Sequence, residues 1–490
     1  MNKQKLADIK AIGGDTVITF GSQLKPATLA SLPPDCLVNG VNCAQAAAGT
    51  VKVNRYFTYR DRGRWGAPAV KCPLDRSLTS NGKAYTVLVF PARGAGCTSS
   101  DGAYDVVVVG GGSATAGDPS VSLAAAATSL GVKYFAGLPL PVHRTDLPYL
   151  PDLSYLRTFT QFTERYLQYQ AAVNNVPGLA GFYHTTEMPT SDGATFDSVL
   201  TTYRVQNDAI RRIMPTRAAV VSPYLDSRVQ GGNISLEMTR NGVRKIAQTA
   251  GGIVLNIAVQ DGMGTGKGGA YFGHEAGAAV DRFAAVVVGS GSWGRKYAAS
   301  NRDYFLAAAA GVSGTGAVLW ANLEGMAPAA GTNPCAGNLR GQTTKARIDR
   351  QLQQLANAPS KIISFMWDSY YTCRGTGTPL KTQVAAGKTT PVITDTTFRP
   401  ASGKVQITGF NLTGGSVQVT WTTAANRVLK KSVSVAVTNT AYGRQAGLNP
   451  RLEMITVKVG PTTLGTGKFY MVNVTNGWGA KNDAPYSKRG

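Results

Sequence analysis

Two stretches far apart in the chain each read as a buried strand that finishes on a glutamate: residues 179–187, ending at Glu187, and residues 317–324, ending at Glu324. In a barrel of parallel strands, a carboxylate at a strand's C-terminal end opens onto the face where such scaffolds carry chemistry. Two carboxyl groups suffice to cut a glycosidic bond, one protonating the leaving oxygen while the other attacks the sugar or activates water. Glu187 and Glu324 are therefore the leading catalytic pair, Glu187 as general acid/base and Glu324 as nucleophile. Retention of configuration would require their carboxyl groups about 5–5.5 Å apart, and inversion roughly 6.5–9.5 Å.

Other strand-like runs also end on polar or aromatic groups. Tyr224 closes Ser222-Pro-Tyr224, Asp261 follows Gln260, and Trp367 and Asp368 begin Trp367-Asp-Ser-Tyr-Tyr371. Alternation of side chains along a strand adds Tyr183 to the face of Glu187, and Trp320 and Asn322 to that of Glu324. These seven residues are the candidate substrate-binding set. Plainer readings stand beside them: Asp-Gly at 261 is strong turn chemistry, and Trp320 suits a barrel core equally well. The same alternation turns His184 toward the surrounding helices, as a packed, hydrogen-bonded histidine.

Several chemistries are disfavoured by spacing. Gly262-Met-Gly-Thr-Gly-Lys-Gly268 lacks the first glycine of a phosphate loop and the Ser or Thr after its lysine, so it reads as a flexible loop over the site. The chain has three histidines, His143, His184 and His274, with no metal-ligand spacing, so no metal or cofactor is expected. Gly289-Ser-Gly-Ser-Trp-Gly294 misses the nucleophile-elbow pattern of serine hydrolases.

The elements that must position these residues follow from periodicity. From about residue 120 to 370, short β-branched runs alternate with amphipathic helical stretches, the signature of repeated βα units. Strands are expected at 132–138, 179–184, 218–222, 253–259, 317–322 and 361–367, with helices at 154–173, 196–213, 236–249 and 343–357. Residues 15–20 supply a first strand, and either 85–90 or 105–109 a second, which totals eight. The expected architecture is α/β: a (β/α)8 TIM barrel over residues 1–374, with an insertion at about 21–104. A Gly/Thr/Lys linker at 375–390 leads to a C-terminal immunoglobulin-like β-sandwich at 391–490, with strands at 404–408, 416–421, 432–437, 454–459 and 468–474.

Composition fits this division. The 490 residues exceed what a single core normally holds, and 43% hydrophobic against 16% charged residues is ordinary globular composition. No apolar run is long enough to span a membrane, and the first eight residues lack the apolar core of a secretory signal. Six cysteines allow fifteen pairings; nearness in sequence favours Cys36–Cys43, Cys72–Cys97 and Cys335–Cys373, and hence an oxidising compartment, secreted or periplasmic. The competing reading is six thiols in a cytosolic enzyme. Net charge is +23, and residues 391–490 hold 12 basic against 3 acidic residues. That excess attracts polyanions. An acidic polysaccharide or an anionic cell envelope fits it; nucleic acid fits less well, since no recognition motif is present.

Gly181-Phe-Tyr-His-Thr-Thr-Glu187, Ser222-Pro-Tyr224, Gln260-Asp-Gly262, Leu319-Trp-Ala-Asn-Leu-Glu324, Arg347-Ile-Asp-Arg-Gln-Leu352 and Phe365-Met-Trp-Asp-Ser-Tyr-Tyr371 follow one another in an order that resembles a bacterial TIM-barrel family, domain of unknown function 4434. Members of that family are taken to be glycoside hydrolases. The resemblance covers roughly residues 120–372. The layout is also similar to retaining TIM-barrel glycosidases, which carry the acid/base on the fourth strand and the nucleophile on the seventh, although Thr186 stands where that group usually has Asn. The resemblance implies an endo-acting retaining glycoside hydrolase that cleaves a bacterial exopolysaccharide or cell-surface glycan. The alternative is a non-catalytic glycan-binding or envelope-anchoring protein on the same scaffold.

Overall fold

The computed structural model describes residues 2–489 apart from Arg62, Ala424, residues 461–463 and 465–468, and the side chain of Asn338. Met1 and Lys468, each part of a sequence reading above, lie outside the described residues. Seven strands form one parallel sheet in chain order: β1 (Thr16–Ile18), β2 (Lys133–Gly137), β3 (Leu179–Tyr183), β4 (Ala218–Val221), β5 (Leu255–Gln260), β6 (Val318–Glu324) and β7 (Lys361–Phe365). Helices alternate with them: α1 (Pro119–Leu130), α2 (Leu156–Val173), α3 (Asp197–Ile213), α4 (Leu236–Ala247), α5 (Asn301–Val312) and α6 (Lys345–Gln353). β2 to β6 are buried along most of their length, as a helix-covered parallel sheet requires, while β1 and β7 are half-buried throughout.

The eight-stranded barrel expected from the sequence does not form, because the sheet is barrel-like but has seven strands. β1 pairs directly with β2, from Thr16 opposite Lys133 to Ile18 opposite Phe135. Both candidates for the missing strand lie in a separate five-stranded sheet, where residues 103–113 and 83–91 run antiparallel with Val106 opposite Val89. The physical reason is that an apolar run buried on both faces marks any central strand, and nothing in its composition names the partner.

The chain divides into two compact units, Met1–Met188 with Gly193–Val221 and Lys245–Asn256, and Pro189–Asp192 with Ser222–Arg244 and Ile257–Gly490. In the first, the stretch expected as an insertion folds into the five-stranded sheet, ordered 25–27, 52–59, 103–113, 83–91, 76–80. One hydrophobic cluster joins Val87, Val89, Val106 and Val108 to the Cys36–Cys43 disulfide. α2 presents the expected apolar stripe, and its Phe162 and Tyr169 stack on Trp65 at 5.5 and 5.2 Å between ring centroids. Beside them, Arg165 of α2 forms a buried ion pair with Asp75, whose carboxylate also accepts the Lys71, Cys72 and Val89 amides at 2.8–2.9 Å.

In the second unit, residues 392–489 form two four-stranded antiparallel sheets, ordered 392–399, 404–410, 453–458, 437–439 and 428–434, 416–422, 469–475, 486–489. Their inward residues, among them Ile393, Val405, Val419, Ile455 and Val472, enclose a single core, with Trp421 at 7% exposure. Phe272, from the chain between β5 and β6, enters that core, and Arg302 pairs with Asp395 at 3.0 Å. The stretch read as a linker contains a short helix, Leu380–Ala386. All six cysteines are paired as sequence nearness suggested. Among the described residues, no helix is long and apolar enough to cross a membrane.

Removing one partner of a buried ion pair leaves an uncompensated charge. Arg165→Met is therefore expected to lower the unfolding free energy by about 3–5 kcal/mol, read by urea denaturation. Double replacement with Asp75→Leu should recover part of that loss.

Candidate functional site: a buried carboxylate pair

β6 runs through Glu324 itself and places it beside Asp261, which directly follows β5. The hydrogen-bond ladder continues past the strand ends: the Asp261 amide donates to the Asn322 carbonyl at 3.1 Å. The Glu324 amide then turns to a side chain, donating to Asp261 Oδ1 at 3.2 Å. The Asp261 carbonyl is occupied by Asn301 Nδ2 at 2.8 Å. Both carboxyl groups are nearly sealed, Asp261 at 1% exposure and Glu324 at 3%.

Their environments differ. Glu324 Oε2 accepts the Thr265 amide at 2.6 Å, and Oε1 accepts the Thr265 hydroxyl at 3.2 Å. Asp261 Oδ1 also accepts the Met263 amide at 3.2 Å, whereas Oδ2 has no partner among the described residues. Burial raises the pKa of both groups. For Asp261 the charge of Glu324 adds to that rise and carries it well above the usual carboxylate range, while the Thr265 donors and the Lys267 ammonium pull Glu324 back. Like charges this close and this dry do not both ionise. The stronger rise is on Asp261, so of the two it is the group that holds its proton as pH increases.

The donors come from the glycine-rich loop between Gly262 and Gly269, which sequence reading treated as flexible. Instead it is pinned along its length. Ser227 holds the Lys267 carbonyl at 2.9 and 3.0 Å, Tyr297 donates to the Gly266 carbonyl at 3.0 Å, and Arg347 of α6 donates to the Met263 carbonyl at 2.9 Å. A Cβ on Gly264 would lie 2.7 Å from Glu324 Cβ, and one on Gly268 2.0 Å from the Asp261 carbonyl oxygen. Glycine is thus required for the loop to reach the carboxylates. Thr265 and Lys267 are half-buried and form the open side, with the Lys267 ammonium 3.9 Å from the centre of the Tyr224 ring. α6 completes the frame: Arg347 also pairs with Asp281 at 2.6 Å, and Gln351, one turn on, donates to the Glu324 carbonyl at 3.1 Å.

The second unit therefore gathers Asp261, Asn322, Glu324 and Tyr224 of the predicted set. Asn322 donates to Ser222 Oγ at 2.9 Å beneath the pair. Trp320 lies four residues back along β6, about 13 Å at the usual strand rise, buried with the Lys361 ammonium 5.6 Å from its ring. Trp367 and Asp368 sit in the turn after β7; Trp367 stacks on Tyr371 at 6.0 Å, and Asp368 is exposed. In the first unit, Tyr183 is buried edge-on against Phe20 at 5.4 Å. Glu187 is exposed in the segment after β3, not enclosed as a general acid's setting was expected to be. His184 is fully buried between Gln206 and Asn207 of α3, at 2.8 and 2.7 Å, and burial pushes its pKa down to about 4. It is the packed histidine that strand alternation implied. Thr265, Lys267 and Arg347 were missed as site residues, and the alternate glycines at 262, 264, 266 and 268 were the available signal.

No family profile and no curated protein matches the chain, so the family resemblance read from the strand-end motifs finds no family match. Among solved structures the chain is similar to a protein provisionally designated an α-L-fucosidase from Bacteroides thetaiotaomicron, with 14% identity over 55% of this chain and 73% of that one and a TM-score of 0.36. It is also similar to β-glucuronidase 2 of Bacteroides uniformis, at 10% identity over 76% and 40% with a TM-score of 0.31. A β-galactosidase from Marinomonas ef1 matches at 9% identity over 54% and 50%, with a TM-score of 0.31. The chain spans half or less of the latter two proteins. These are distant similarities of fold to glycoside hydrolases.

Because Asp261 keeps its proton in the folded protein at pH values where the unfolded chain releases it, its contribution to stability is complete at acid pH and is lost as pH rises above about 4. Asp261→Asn removes that loss. Relative to the parent protein, the variant is expected to gain stability progressively as pH rises from 4 to 8, measured by chemical denaturation across that range.

Proposed function

We propose that the protein is a glycoside hydrolase acting on a bacterial exopolysaccharide or cell-surface glycan, retaining and endo-acting, in a secreted or periplasmic setting that the three disulfides suit. The observation that carries this reading is Glu324 at the C-terminal end of a parallel strand, its two oxygens held by the Thr265 amide and hydroxyl, with the buried Asp261 carboxyl beside it. Glycosidic chemistry needs one carboxylate as nucleophile or base and a second carboxyl group as acid, and a strand-end carboxylate with fixed donors can supply the first. Perturbed titration by burial plus a named charge partner is also the mark of a functional site.

Glu324 is the nucleophile. Thr265 aligns its two oxygens, and Lys267 keeps it charged in the resting enzyme. Glu187 is the acid/base. Tyr183, Tyr224, Asn322, Trp320, Trp367 and Asp368 belong to substrate binding. Residues 1–374 form the catalytic domain and 391–490 an immunoglobulin-like accessory domain, joined through 375–390.

A second reading, glycan binding without turnover, draws on the near-complete burial of Glu324. Chemical rescue separates the two and tests each carboxylate independently. Glu324→Gly should lose more than about a thousandfold in kcat and regain turnover of activated aryl glycosides in azide, giving a glycosyl azide of inverted configuration. Glu187→Ala should retain turnover of substrates whose leaving group needs no protonation. Parent-like production of new reducing ends by both variants would refute the roles, and none by the parent protein would favour the binding reading.

A further inference from the structure

After β7 the chain turns at Trp367–Tyr371 and then runs into the Leu380–Ala386 helix. A groove of about 600 Å³ lies there, lined by Thr372, Arg374, Gly377, Pro379, Lys381 and Thr382. Its lining holds a guanidinium, an ammonium and two hydroxyls, and no carboxylate. The walls are braced. The Cys335–Cys373 disulfide fixes one end, and Gln342 donates to the carbonyls of Cys373, Gly377 and Thr378, each at 3.1 Å, while accepting the Gly377 amide at 3.0 Å. The Thr376 hydroxyl reaches the Thr332 carbonyl at 2.6 Å. Lys381 is drawn toward Trp367, its ammonium 5.8 Å from the ring centre, which limits the freedom a lysine would otherwise lose on binding. In the β6–β7 register Glu324 is opposite Phe365, the last residue of β7, so the groove follows the strand end that neighbours the candidate nucleophile.

We infer that this groove is a subsite for an anionic sugar residue, so that the substrate is an acidic polysaccharide whose units carry carboxylates. Arg374 matches a carboxylate with paired donors, Lys381 adds a point charge, and the Thr372 and Thr382 hydroxyls are placed for sugar hydroxyls. The inference rests on the glycan reading above and deepens it.

The test measures binding, not turnover, by calorimetry on full-length Glu324→Gln protein. The probes are a defined oligogalacturonate and its carboxyl-reduced, neutral counterpart. Arg374→Gln and Lys381→Gln are each expected to weaken the oligogalacturonate about tenfold and leave the neutral chain within twofold. Lys404→Gln with Lys458→Gln makes the same change of charge on exposed lysines that face each other across two strands of the C-terminal domain, and should leave both affinities unchanged. Unchanged uronate affinity in the Arg374/Lys381 double variant overturns the subsite, as does an equal loss in the Lys404/Lys458 variant, which would mark general attraction to polyanions. Groove-dependent uronate binding by a parent protein that releases no product would keep the subsite and remove the hydrolase reading. Turnover confined to neutral glycans would do the reverse.

Discussion

Burying two carboxyl groups side by side costs several kcal/mol unless one of them stays protonated and the other is surrounded by donors. Asp261 and Glu324 meet that condition asymmetrically, and the surrounding structure serves the asymmetry. The glycine-rich loop exists in its pinned form because Thr265 must deliver an amide and a hydroxyl to Glu324, and glycine at 264 and 268 is what lets the backbone come close enough. α6 packs against that arrangement with Arg347 on the loop and Gln351 on the strand end. Exchanging the donors between the two carboxyls would move the proton and reverse their roles.

Burial and function are in tension here, and the open side of the site shows how they are reconciled. Thr265, Lys267 and Tyr224 are half-buried, so on this side Glu324 is screened by a cation set against an aromatic ring. A carboxylate reached in this way is less solvated than one on the surface and correspondingly more responsive to a developing positive charge on a sugar ring.

Much of the βα alternation was legible because each strand and helix announces itself by period. The stripe on α2 and the inward parity that carried His184 to α3 appear in the structure as the periodicity implied. The disulfides were legible from sequence nearness alone. The strand count was not, because the apolar runs at 85–90 and 105–109 satisfy the same burial pattern in a separate sheet as they would in the barrel. The site was half legible. Strand-end acids stand out in sequence, so Asp261 and Glu324 were both singled out as candidates, but their mutual contact depends on which strands are neighbours, and Thr265 lies in a loop whose glycines look like freedom until the space around them is known. Asp261 was assigned to substrate binding because a sequence shows a carboxylate without showing that a neighbouring charge keeps it protonated.

The most direct test is the protonation state of the pair in the resting protein at pH 7, read by neutron diffraction from deuterated crystals. The account predicts nuclear density for one deuteron on the Asp261 carboxyl, none on Glu324, and deuterons on the Thr265 amide and hydroxyl pointing at the Glu324 oxygens. Two bare carboxylates, or a deuteron on Glu324 in place of Asp261, would contradict it.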